Sequence, residues 1–326
     1  MVSQHRSQQP HPILARAEAL AGSGRRDEAV LLVRQLAAQR DPDGLFALGR
    51  MLWGGGLIAV DPVAARQQFA LAAQAGHRAA RVLTTNLLAS GIAGPRDWPT
   101  ALTRLASEIA IDPRRKAQID LLGRMSLTTG GDPEKLREGE RLAATPDVLR
   151  FAGFCTAAEC AYLVEVGGRG YRAAEIRDGR GGTRRDPIRD SDEFTIHWLI
   201  EDPVVHAINR RIAAVAGSDT DRGEAMQLLR YRPGQQYRAH YDYNPTLENQ
   251  RSLTALIYLN HDYKGGETAF VKTGLKVKGR KGDLLLFRNT LPDGAVDPMS
   301  EHAGQPIVSG TKFIASRWIH ERKFVP

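Results

Sequence analysis

The stretch YRPGQQYRAHYD, residues 231–242, decides how the second half of this chain is read. It sets His240 and Asp242 two residues apart. On a β-strand, residues i and i+2 project from the same face, so this imidazole and this carboxylate can converge on one point. The sequence around it is strand-like. MQLLRY from Met226, SLTALIYLN from Ser252, DLLLFRN from Asp283 and TKFIASRWI from Thr311 are short apolar or alternating runs broken by Gly, Pro and Asp. Such spacing predicts an antiparallel sandwich or jelly roll.

A second histidine, His302, lies in DPMSEHAGQP. Two histidines and one carboxylate on a β-scaffold are the facial donor set of non-haem Fe(II) sites. Three protein ligands leave coordination positions open, whereas a structural zinc site is closed by four. Lys312 follows ten residues after His302, in GTKF. A cation placed there suits the far end of an acidic co-substrate. Tyr231, Tyr237 and Tyr258 fall on expected strands, where their hydroxyls can bind a carboxylate; as ordinary core residues they would bury the ring and bond only the tip. Asp293 and Asp297 read as turn residues able to orient His302 from behind. His197, His206, His261 and His320 read as packing or surface histidines.

Upstream of the strands the texture changes twice. DPVVHAINRRIAAVAG, from Asp202, has helical spacing with an Asp–Pro start. RDGRGGTRRDPIRDSDEF, residues 177–194, reads as an exposed loop that could cover a substrate. FCTAAECAYLV reads as a helix carrying Cys155 and Cys160, the only cysteines. Two thiols make neither a disulfide framework nor a closed zinc site, so both are expected as buried packing residues in a reducing, cytoplasmic setting.

The first hundred or so residues are rich in Ala and Leu with helical periodicity. They recur at a 36-residue interval: Asp61 to Asp97, Gly55 to Gly91, and Ala29 to Ala65 to Ala101. The clearest unit, LFALGRMLWGGGLIAVDPVAARQQFALAAQAGH from Leu45, reads as helix, Gly-rich turn, and a second helix started by Asp61–Pro62. Two helices per mid-thirties period predict an α-solenoid. The pattern A-x-x-L-G-x-x-L…G…D…A…A-A-x-x-G resembles Sel1-like repeats, relatives of tetratricopeptide repeats. Such an array would serve as a docking arm, a buttress, or the interface of a homodimer.

The expected architecture is therefore α+β: a flexible polar leader over 1–12, a helical repeat domain over 13–145, and a jelly roll with flanking helices over 146–326. Composition agrees, with 42% hydrophobic and 25% charged residues. The leader lacks the apolar core of a secretory signal. No run of 18 residues is apolar and uncharged, so no membrane span is expected. The net charge of +8 comes from arginines dispersed among acids, without the clustered footprint of a nucleic-acid binder.

Five motifs occur in order from residue 230: R-Y-x-P-G-Q-x-Y-x-x-H-x-D ending at Asp242, R-x-x-T-x-x-x-Y-L-N over 251–260, G-G-E-T-x-F over 265–270, K-G-D-x-L-x-F over 281–287, and H-x-G-x-P-I-V-x-G-x-K-F-x-x-x-x-W over 302–318. Together they resemble the prolyl 4-hydroxylase family of 2-oxoglutarate oxygenases, over roughly residues 148–322. The resemblance implies a double-stranded β-helix with Fe(II) on His240, Asp242 and His302. It implies that Lys312 pairs with the distal carboxylate of 2-oxoglutarate, with Tyr231, Tyr258 and Thr254 around the co-substrate. Tyr237, Arg251 and Trp318 would face the substrate. Where the hypoxia-sensing branch has Arg, this chain has Lys312, as collagen-type enzymes do.

The implied reaction uses O2 and 2-oxoglutarate, with ascorbate as supporting reductant, to hydroxylate an unactivated C–H and release succinate and CO2. The expected substrate is a proline residue in a protein or peptide. The alternatives are a free cyclic amino acid such as proline or pipecolate, or a non-catalytic repeat-based interaction protein.

Overall fold

The computed structural model describes residues 11–177, 183–185 and 188–325; the expected leader falls almost wholly outside them. The chain forms two compact units, dividing between Ile119 and Asp120.

The first unit holds α1 (Pro12–Gly22), α2 (Arg26–Ala38), α3 (Pro42–Gly54), α4 (Pro62–Gln74), α5 (Arg78–Ser90) and α6 (Trp98–Ser107); α7 (Arg114–Leu122) runs through the division. Asp41, Asp61 and Asp97 each accept a backbone N–H three residues on, at 2.8, 2.9 and 3.1 Å. A proline at the start of the helix reinforces each cap. The 36-residue recurrence has a packing cause. Ala29, Ala65 and Ala101 are all fully buried on the second helix of successive hairpins. Gly49 lies so close to the Phe69 ring that a Cβ there would come within 2.6 Å of it. Small residues at fixed intervals let helices approach closely, and stacking buries faces that no single hairpin could cover.

The second unit contains α8 (Ala157–Gly167), α9 (Pro203–Val215) and seventeen strands among the described residues. The first seven are β1 (Glu140–Ala144), β2 (Asp147–Phe151), β3 (Arg172–Ala173), β4 (Glu175–Arg177), β5 (Thr183–Arg185), β6 (Arg189–Asp190) and β7 (Asp192–Ile196). Then come β8 (Met226–Tyr231), β9 (Gln236–His240), β10 (Arg251–Tyr258), β11 (Lys264–Gly265), β12 (Thr268–Phe270) and β13 (Lys276–Val277). The last four are β14 (Leu284–Arg288), β15 (His302–Gly304), β16 (Ile307–Ser309) and β17 (Lys312–His320). An eight-stranded sheet runs β1-β2-β14-β10-β17-β8-β7-β3, and a five-stranded sheet runs β13-β12-β15-β9-β6. One apolar core joins them: Leu229, Leu285, Phe287 and Ile314 from the large sheet meet Phe270 and Val277 from the small one. Phe270 and Phe287 cross edge to face at 5.2 Å, a pairing worth about 0.5–1.5 kcal/mol beyond its buried area. Two antiparallel sheets closed over one core make the expected double-stranded β-helix.

Two expectations need correction. The stretch before residue 146 is not all helical repeat: β1 pairs with β2 and extends the large sheet, and the second compact unit starts at Asp120. Of the expected loop over 177–194, residues 178–182, 186 and 187 lie outside the described residues, and the remainder is not simply an exposed loop. β4 pairs antiparallel with β5, β6 pairs with β9, and β7 enters the large sheet beside β8. Charges of its described part, which made it look like a loop, are paired. Buried Asp192 lies 3.0 Å from both Arg230 and Arg232, and Arg189 lies 2.9 Å from Glu193. Buried charges that find partners can sit in a sheet.

Candidate active site

Sheet register brings the donors together. His240 ends β9 and His302 begins β15, and the two are Cα partners. Asp242, two residues past His240, turns back toward the same point. His240 Nε2 lies 3.6 Å from Asp242 Oδ1, and His302 Nε2 lies 3.6 Å from Oδ2. One ligand atom from each of the three lies within 4.8 Å of the others.

Both imidazoles are held in the form that offers Nε2. His240 Nδ1 sits 2.7 Å from Arg238 O, and His302 Nδ1 sits 3.0 Å from Ser300 O. A backbone carbonyl can only accept, so each Nδ1 carries the proton and each Nε2 presents its lone pair inward. Burial and the neighbouring His240 lower His302 to about 4, so it is neutral near pH 7. Burial works against ionisation of Asp242, but His302, His240 and the Thr254 hydroxyl outweigh it and hold the carboxyl far below its usual range. Two imidazoles aimed through Nε2 and one carboxylate suit a divalent cation such as Fe(II). The Tyr237 ring stacks on His240 at 3.5 Å, and the Phe287 edge meets His302 at 4.7 Å, which fixes both ring planes.

The donors line a cavity that opens to solvent. Along β17, Lys312, Ile314, Ser316 and Trp318 all face it, the period-2 signature of one sheet face. Lys312 is buried, donates to Gly266 O at 2.6 Å, and lies 5.7 and 5.6 Å from the Tyr231 and Tyr258 ring centroids. Burial brings its ammonium down to about 7, with Glu267 opposing that shift and Lys278 adding to it.

Seven of the ten residues expected at the site line the cavity: His240, Asp242, His302, Lys312, Tyr231, Tyr237 and Trp318. Three do not. The Tyr258 hydroxyl bonds Thr268 Oγ1 at 2.9 Å, and Thr268 is the residue that reaches the cavity wall. Thr254 lies behind Asp242, its hydroxyl 2.6 Å from Oδ2. Arg251 is clamped by Glu224 at 2.5 Å and lies over the Trp318 ring at 3.9 Å. Glu224 also bonds His320 Nε2 at 2.9 Å, so that histidine is a buried partner rather than a surface one. Arg189 and Thr268 line the cavity without having been singled out from the sequence. Thr268 stands in the G-G-E-T-x-F motif, where its position was visible. Arg189 lies in the segment read as a loop and gave no signal.

A model of the 2OG-Fe(II) oxygenase superfamily matches residues 226–320. The chain is 32% identical over 219 residues to probable prolyl 4-hydroxylase 4 of Arabidopsis thaliana, covering 59% of this chain and 72% of that protein. It is 32% identical over 229 residues to prolyl 4-hydroxylase 5 of the same plant, covering 62% and 78%. A solved structure of a viral collagen prolyl hydroxylase from Paramecium bursaria Chlorella virus-1, as its 2OG complex, matches with 26% identity and a TM-score of 0.44, over 53% of this chain and 95% of that one. With the relatives covered over most of their length and the donor set in place, the chain belongs to the prolyl 4-hydroxylase family of Fe(II)- and 2-oxoglutarate-dependent dioxygenases.

Proposed function

We propose that this enzyme hydroxylates a proline residue in a protein or peptide, with His240, Asp242 and His302 holding the iron. The observation that carries the reading is one cavity with three converging ligands on its wall and a buried lysine, Lys312, on the same wall. Bound iron, 2-oxoglutarate and O2 supply the oxidising chemistry, in which decarboxylation to succinate and CO2 accompanies insertion of one oxygen atom into a C–H bond. The chain's own residues bind and orient. The Lys312 ammonium meets the distal carboxylate of 2-oxoglutarate, and the Tyr231 ring, 5.7 Å from that ammonium, lines the same end of the cavity. Leu229, Leu256 and Ile314 exclude water from the co-substrate. Tyr237 and Trp318 present an aromatic wall suited to a pyrrolidine ring.

One observation favours a second reading. Arg189 lines the cavity beside Tyr237, and its cation would suit the α-carboxylate of a free cyclic amino acid. The helical unit fits a Sel1-like docking arm under the first reading and a buttress under the second. Two free, buried thiols suit a reducing compartment, so we place the enzyme in the cytoplasm.

Incubation with Fe(II), 2-oxoglutarate and ascorbate, in parallel with a proline-rich peptide, L-proline and L-pipecolate, separates the readings by mass. The peptide is expected to gain one oxygen with matching succinate. Oxygen appearing only on a free amino acid selects the second reading. No oxygenated product and no succinate in any arm rejects both.

A further inference from the structure

We propose that Asn289 and Thr254 form a positioning relay that fixes which oxygen of Asp242 is offered to the metal. The inference rests on the metal reading above. A metal-ligating carboxylate is anionic and can only accept hydrogen bonds. Thr254 Oγ1, 2.6 Å from Asp242 Oδ2, must therefore donate its single proton there. Asn289 Nδ2 lies 2.8 Å from the same Oγ1 and donates into its remaining acceptor capacity. The opposite amide orientation would set a carbonyl against a hydroxyl whose proton is already committed. Direction along the whole chain is thus forced, from Asn289 to Thr254 to Asp242.

Both relay residues are essentially fully buried, where water does not compete for these bonds. Oδ1 lies 3.6 Å from His240 Nε2 and Oδ2 3.6 Å from His302 Nε2; with one lone pair of Oδ2 taken by Thr254, Oδ1 keeps both of its own and is the oxygen offered to the cation. The main chain of Asn289 reaches a second ligand. Its carbonyl accepts the Asp297 N–H at 2.9 Å. Asp297 caps the following turn through Met299 N at 2.8 Å, and Ser300 O in that turn holds His302 Nδ1. One buried asparagine, remote from the cavity wall, therefore governs the placement of Asp242 through its side chain and stands at the root of the turn that presents His302.

The test uses the full chain stripped of metal. Mn(II) affinity is titrated, and the visible spectrum of the Co(II) form is recorded, for wild type, Thr254→Val, Thr254→Ser and Asn289→Ala. Thr254→Val keeps the shape and deletes the hydroxyl. It is expected to bind Mn(II) about 10–100-fold more weakly, the usual range for outer partners of a ligand, and to shift the Co(II) bands. Thr254→Ser restores the hydroxyl and is expected to match wild type in both readouts, with Asn289→Ala between. Wild-type affinity and spectrum in Thr254→Val, or equal losses in Thr254→Val and Thr254→Ser, overturn the relay. Should Thr254→Val not fold, an unchanged Co(II) spectrum in Asn289→Ala overturns it instead. A wild-type protein that binds no Mn(II) overturns the metal reading itself, which is a different outcome.

Discussion

His302 stands directly across from His240 on the neighbouring antiparallel strand, with the two ring centroids 4.3 Å apart. Opposed residues in such a pair have Cβ atoms about 4.5–5.5 Å apart, so backbone register alone brings together two donors that are distant in the chain. A slip of one residue would turn either ring to the opposite face. The expected consequence is that His302→Ala loses more than about 100-fold in Mn(II) affinity, beyond the effect typical of outer partners. Its conversion of 2-oxoglutarate to succinate should fall to background. Titration calorimetry and a succinate assay measure the two, and metal binding at wild-type strength in the variant would sink the assignment.

With Lys312 at the distal carboxylate as proposed, co-substrate binding is expected to depend on pH in a defined direction. In the empty cavity its ammonium titrates at about 7, because burial disfavours the charge. A bound carboxylate beside it favours the charged form and raises that value. Below about pH 7 the lysine is already protonated, so binding takes up no proton and the affinity is flat with respect to this group. Above pH 7 each binding event must take up a proton, and the Kd for 2-oxoglutarate should rise by about tenfold per pH unit until the value of the bound state is reached. Anaerobic titration of the Mn(II) form between pH 6 and 9 measures this. A flat Kd across that range would show that Lys312 does not meet the carboxylate. Lys312→Ala should bind weakly at every pH and lose the slope.

The sandwich was legible because its strands carry short apolar or alternating runs between Gly, Pro and Asp, and β8, β10, β14 and β17 lie where MQLLRY, SLTALIYLN, DLLLFRN and TKFIASRWI predicted them. His240, Asp242, His302 and Lys312 were legible because spacing and motif order both pointed to them. What failed was depth along a face. Thr254, Leu256 and Tyr258 alternate on one face of β10, but only Leu256 reaches the cavity. Asp242 covers Thr254, and Thr268 takes the place expected for the Tyr258 hydroxyl. Linear spacing reports which face a residue is on, not what stands in front of it. β6 and β7 were missed for a different reason: the sequence displayed their charges but not the Arg230, Arg232 and Gln227 partners across the sheet.

Arg251 reaches the substrate side only through Trp318. Its guanidinium, held by Glu224, covers the indole at 3.9 Å while Trp318 lines the cavity. A stacked, half-desolvated cation of this kind contributes on the order of 1–2 kcal/mol, enough to hold the ring at one angle. Arg251→Ala should therefore raise the KM for a proline-containing peptide by about 5–30-fold, the equivalent of that energy. Succinate formed in the absence of peptide should stay near wild type, because nothing in the co-substrate end of the cavity changes. Equal losses in both rates would mean that Arg251 supports the fold of the site rather than the orientation of Trp318.

Glu108 and Arg115 form a fully buried ion pair in the helical unit, at 3.0 Å. Thr85 donates to the carboxylate at 2.6 Å, and the guanidinium also reaches Asn86, Gln118 and the carbonyl of Val82. The pair ties α5 to the chain on both sides of α7's start, yet its value is asymmetric. Removing one partner leaves an uncompensated buried charge, which costs about 3–5 kcal/mol, whereas replacing both by apolar residues of similar volume is often neutral or stabilising. Glu108→Ala should therefore lower the melting temperature of the helical unit markedly. The double substitution Glu108→Leu with Arg115→Met should recover most of the loss. Mn(II) affinity should be the same in all three proteins, since neither residue belongs to the unit that carries His240, Asp242 and His302. Calorimetric melting of the single and double variants decides the point: a single variant that melts like wild type would mean that the pair contributes nothing, and a double variant no better than the single would mean that its geometry, not its charge balance, holds the helices.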